Sequence, residues 1–107
     1  MSDFTEEVIN SVWNKARIQN NNDKDTWRKD YAGAWINKTA YGNINSDYGW
    51  EIDHKKPSSK GGSDNLSNLE PLQWQNNRTK GDDYPSFKTS ISSDGNKNIE
   101  KEKTWKY

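Results

Sequence analysis

The chain has one histidine, His54, and it directly follows an acid, Asp53. Asn68 lies fourteen positions after His54, Asn77 nine positions further on, and Lys80 three beyond that. Together these residues supply a carboxylate oxygen, an imidazole and two amide oxygens. Those are the group types of general acid–base and cation-assisted chemistry. The chain has no cysteine, which excludes disulfides, zinc knuckles, iron–sulfur clusters and a thiolate nucleophile.

Such residues act together only if a strand end, a loop and a short helix bring them to one face. The sequence supplies those elements. Trp50 to His54 reads as a strand, and Ala34 to Thr39 reads as its hairpin partner across the turn-rich segment 41–49. Lys55 to Asn68 is nearly all loop, and Gly61-Gly62 suits a turn with positive φ. Leu69 to Leu72 is a short extended piece, and Gln73 to Lys80 is a helix that stops at Gly81. Upstream, residues 3–19 read as an amphipathic helix. Asp3 and Glu6 form its expected capping box, and Val8, Ile9, Val12, Trp13 and Ala16 sit at helical spacing. Segment 26–32 fits either a turn or a short helix.

At 107 residues the chain is expected to be one small domain. Hydrophobic residues are only 28%, and the mean hydropathy is −1.40. Six Trp, five Tyr and two Phe nevertheless allow a thin aromatic core, because each ring buries a large area. Trp13, Trp27, Trp35, Trp50 and Trp74 are expected in it. Net charge is zero but unevenly spread: residues 1–53 carry −3 and residues 54–107 carry +3. A neutral total argues against nucleic-acid binding by bulk charge and leaves a local basic patch or a metal ion. No run of 18 apolar residues suggests a membrane span, and the acidic N-terminus does not read as a secretory signal.

The stretch from Glu51 to Leu72, EIDHKKPSSKGGSDNLSNLEPL, followed by Asn76-Asn77-Arg78-Thr79-Lys80-Gly81-Asp82, closely resembles the HNH endonuclease family. The resemblance covers about 30 residues through Asp-His, Pro-Ser-x-x-Gly-Gly, Asn-Leu-x-Pro-Leu and Asn-x-x-Lys. Trp27-Arg28-Lys29-Asp30, Gly33-Ala34-Trp35-Ile36, Tyr41-Gly42 and Gly49-Trp50 look like the N-terminal extension of a stand-alone bacterial subgroup. The resemblance implies an α+β fold: a ββα-metal finger with an N-terminal helix and a β-hairpin. Residues 1–22 would carry the helix, 23–83 the HNH core, and 84–107 a partly ordered tail.

The resemblance also implies roles. His54 would be the general base that takes a proton from the attacking water. Asp53 and Asn77 would be metal ligands, with Asn76 the rival to Asn77 in a register one residue away. Asn68 would brace the loop and orient the His54 ring. Two hard oxygen donors suit Mg²⁺ or Mn²⁺, and a lone imidazole cannot build the multi-histidine site of colicin-type relatives. Lys55, Lys56, Lys60, Arg78 and Lys80 would hold DNA phosphates. Arg28, Lys29 and Asp30 are candidates to support the site or to touch DNA. The implied activity is metal-dependent cleavage of DNA by a monomer or dimer. The alternatives are a non-catalytic nucleic-acid-binding module and an interaction protein with a structural metal. A cytoplasmic location is expected, while delivery as a toxin domain with an immunity partner is an open alternative.

Overall fold

The first helix, α1 (Glu6–Trp13), starts at Thr5, whose Oγ1 accepts from the Val8 N–H at 3.2 Å. Thr5, not Asp3, is therefore the cap, with Glu6 and Glu7 in the positive first turn. The helix ends well short of residue 19. Arg28 explains this. Its buried guanidinium collects the carbonyls of Trp13, Asn14 and Ala16, and the chain then extends into β1 (Arg17–Ile18). The computed structural model describes residues 3–107, and none of its helices is long and apolar enough to cross a membrane.

Segment 26–32 contains a strand, β2 (Trp27–Lys29), flanked by β1 and by β3 (Trp35–Asn37) in an antiparallel sheet. Next come β4 (Trp50–His54) and β5 (Leu69–Gln73), which form their own antiparallel pair. The expected hairpin between residues 34–39 and 50–54 is thus not formed. Each strand has another partner, and the two regions are joined instead by single contacts: Asn37 N–H to Tyr48 C=O (3.0 Å), Trp50 Nε1–H to Lys38 C=O (3.3 Å) and a Tyr41–Trp50 bridge. Every residue of β5 is buried, so it takes the interior place beside β4 that local pattern assigned to residues 34–39.

The helix α2 (Trp74–Lys80) follows β5 directly. Gln73 starts it by accepting from the Gln75 and Asn76 N–H groups, and it stops at Gly81 as expected. Beyond Asp83 the chain is a regular hairpin, β6 (Ser86–Asp94) with β7 (Lys97–Lys106), turned at Gly95. Phe87, Thr89 and Ile91 of β6 are buried.

The core gathers Val12, Trp13, Ala16, Ile36, Trp50, Ile52 and Leu69. Trp50 sits at its centre, with ring centroids 5.5 Å from Trp13 and 4.9 Å from Tyr41. Trp13, Trp35 and Trp50 are buried as expected, whereas Trp27 and Trp74 are only half-buried. A second aromatic group, Tyr31, Phe87, Trp105 and Tyr107, anchors the terminal hairpin. The result is a small α+β molecule in which β4, β5 and α2 form its middle.

Asp30 ties these parts together. Its buried carboxylate accepts from the N–H groups of Ala32, Ala34 and Gln73 and from Asn76 Nδ2. Burial raises this carboxyl above its ordinary value, while the four donors pull it back. Arg28 and Asp30 are therefore structural residues inside the protein, not DNA contacts.

Candidate active site

Alternation along β4 sends Ile52 into the core and turns Glu51 and Asp53 towards α2. Glu51 accepts from Asn77 Nδ2 at 3.0 Å and from Arg78 Nη2 at 3.2 Å. Asp53 faces Lys80, whose Nζ lies 3.3 Å from Oδ1 and 3.2 Å from Oδ2. Together with His54 at the strand end, these contacts shape an open cleft of about 250 Å³. Asp53, His54, Pro57, Ser58, Asn77 and Asp82 line it.

His54 is held from the loop side. Its Nε2 lies 2.7 Å from Asp64 Oδ1, and its ring packs 6.0 Å from Phe4. Asn68 does brace the loop, but by a different set of bonds. It donates to the carbonyls of Lys56 (3.0 Å) and Ser63 (2.8 Å) and accepts from the Lys56 N–H (2.9 Å). The His54 ring is oriented by Asp64 instead. Gly61 has φ of +87°, as a positive-φ turn requires. Gly62 is needed for space: a Cβ there would stand 1.7 Å from the Lys56 carbonyl oxygen.

Asn76 does not reach the cleft. It is fully buried and uses all four of its hydrogen-bonding positions, donating to Asp30 and the Ile91 carbonyl and accepting from the Ser90 and Ile91 N–H groups. Asn77 is the residue that borders Asp53 and His54.

Lys80 corrects the sequence expectation of a phosphate contact. Its side chain is 0% exposed, and it donates to Asp53 and to the main-chain carbonyls of His54 and Lys55. Lys56, Lys60 and Arg78 are exposed, and Lys55 is half-buried. Two site residues escaped sequence reading, Asp64 and Glu51. Asp64 looked like one more turn former in a Gly- and Ser-rich loop. Glu51 was signalled only by its position two before Asp53 on the same strand face.

Glu70 stands directly opposite Asp53 in the strand pair and accepts from the Tyr107 hydroxyl. Burial raises the Asp53 carboxyl, the facing Glu70 carboxyl adds to the rise, and the Lys80 charge opposes both. Residues 40–83 match the HNH endonuclease family. This is consistent with an HNH-family protein, and the matched HNH segment contains β4, β5, α2 and the whole cleft. No curated protein and no solved structure matches the chain.

Residues 40–83 also offer oxygen donors of the kind a divalent cation takes. Asp53 Oδ2 is buried and accepts no hydrogen bond, with the Lys80 ammonium 3.2 Å away as its counter-charge. Asn77 commits its amide nitrogen to Glu51, which leaves its carbonyl oxygen uncommitted among the described residues. These are two hard oxygen donors on one cleft, a set that fits Mg²⁺ or Mn²⁺ with water and phosphate completing the shell. Among the described residues no group of three or more His, Cys, Asp or Glu is placed to hold a metal.

Proposed function

We propose that the chain is a metal-dependent endonuclease that hydrolyses DNA phosphodiester bonds, with β4, β5 and α2 as a ββα-metal unit. The observation that supports this best is the open cleft lined together by Asp53, His54 and Asn77, inside the segment that matches HNH endonucleases. With Nε2–H donated to Asp64, the His54 ring carries its lone pair on Nδ1. There it takes a proton from water as the water oxygen attacks phosphorus and the 3′ oxygen leaves with the bonding pair. Asp64 holds the ring and faces the positive charge that the ring acquires.

Asp53 and Asn77 would hold the divalent cation, Mg²⁺ or Mn²⁺, which when bound compensates negative charge on the phosphorane and the leaving oxygen. Asn68 keeps the loop in the shape that presents Asp64. Lys55, Lys56, Lys60 and Arg78 hold flanking phosphates, a contact that positions a duplex without reading its sequence.

One observation favours a second reading. The Asp53 carboxylate already has Lys80 as a counter-charge, as it would in a non-catalytic nucleic-acid-binding module. Plasmid nicking separates the two. The nuclease nicks with Mg²⁺, stops with EDTA and loses activity in His54→Ala, whereas the binding module retards plasmid under all conditions without cutting it.

A further inference from the structure

Four cationic residues border a second concavity, with the Lys29 ammonium resting over the Trp35 ring (4.8 Å to its centroid). Lys15 follows α1, Arg17 belongs to β1, Lys29 to β2, and Lys55 follows β4. With Tyr31 and Glu70 they line a pocket of about 140 Å³. Three of the four come from the acidic half of the chain and lie outside residues 40–83.

Among the described residues none of these four side chains is in an ion pair. The ion pairs among the described residues are Lys24–Asp25, His54–Asp64, Arg78–Glu51, Lys80–Asp53 and Lys88–Glu102. Lys15 donates to the carbonyls of Leu66 and Leu69, and Arg17 to the carbonyl of Tyr31. Carbonyl partners satisfy N–H groups but cancel no charge. The one acid in the pocket is Glu70, which accepts from the Tyr107 hydroxyl and offsets one of the four positive charges. Burial first, then the Lys55 charge, lowers the Lys15 ammonium from its ordinary value, while the Glu70 charge opposes both.

We propose that this pocket holds a backbone phosphate of the nucleic acid, at a position other than the scissile one. The proposal rests on the nuclease reading for the identity of the polymer. The pocket chemistry itself calls for an oxyanion. Cations are repelled, a neutral ligand leaves the charge unbalanced, and phosphate oxygens accept from several N–H donors at once.

The test is duplex binding by the full chain in EDTA at several salt concentrations. Arg17→Gln and Lys29→Gln should each reduce the slope of log affinity against log salt by about 0.9, and the double variant by about twice that. Lys88→Gln, paired on the surface of β6, should leave the slope unchanged. Melting curves confirm that each variant is folded, and Lys15→Gln replaces any that is not. Unchanged slopes in folded variants overturn the proposal and leave the nuclease reading intact. Reduced slopes in a protein that never nicks plasmid with Mg²⁺ uphold the pocket and defeat the nuclease reading. If inorganic phosphate shifts the Arg17 amide resonance while duplex slopes stay unchanged, the pocket serves a free anion and the backbone assignment is wrong.

Discussion

Lys80 Nζ lies 3.2 Å from Asp53 Oδ2 with both side chains almost fully buried, at 0% and 6% exposure. This ion pair joins the helix and the strand that frame the cleft, and it lies within the residues that match the HNH endonuclease family model. Two charges withdrawn from water are tolerated because each supplies the other's counter-charge and Lys80 also finds two main-chain carbonyls.

Removing one partner should therefore be costly. Lys80→Met is expected to destabilise the protein by about 3–5 kcal/mol, since it leaves Asp53 buried and uncompensated. Asp53→Leu combined with Lys80→Met should recover much of that loss. Arg78→Ala, which breaks an exposed pair with Glu51, should cost no more than about 1 kcal/mol. Urea unfolding of the three variants measures this; equal losses for Lys80 and Arg78 would contradict the buried pair.

His54→Ala should lower the nicking rate by about 10²–10⁴ while leaving the fold and Mg²⁺ affinity unchanged. Asp64→Asn should cause a smaller loss, because the ring remains but its orientation relaxes. Single-turnover rates with circular dichroism check both. Near wild-type cutting by His54→Ala would refute its role as base.

Asn76 and Asn77 should separate cleanly. Asn76→Ala removes four buried hydrogen bonds and strands the Ser90 and Ile91 N–H groups, so it should lower stability by several kcal/mol, at about 1–3 kcal/mol per unsatisfied group. Asn77→Ala should fold normally and weaken Mg²⁺ binding, with activity partly restored at higher Mg²⁺. Thermal melts and metal titration calorimetry decide the assignment, and the reverse pattern would move the ligand to Asn76.

Gly62→Ala should destabilise by about 1–3 kcal/mol, because the added Cβ meets the Lys56 carbonyl and the loop must shift. The same shift displaces Asp64 from His54, so activity should fall even where the protein remains folded. Comparing melting temperature with rate below the melt tests this.

Where chemistry and local conformation depend on neighbours along the chain, the order of residues was enough. The Asp53-His54 pair, the Gly-rich loop, the extended segment at Leu69 and the helix ending at Gly81 could all be read directly. Strand alternation, helical period and turn formers act over a few residues. The 14 and 9 spacings also singled out Asn68 and Asn77 before any fold was known. Burial and strand partnership are not local. Lys80 looked like a surface cation because lysine usually is one, and only the approach of α2 to β4 encloses it against Asp53. Residues 34–39 and 50–54 looked like a hairpin because a turn-rich segment joins them, yet β5 competes for β4 with five buried residues. The α1 boundary depended on Arg28, which lies a dozen or more positions from the carbonyls it collects. Nor could any local window show that Lys15, Arg17, Lys29 and Lys55 share one pocket, since that grouping exists only after three separate chain segments have packed together.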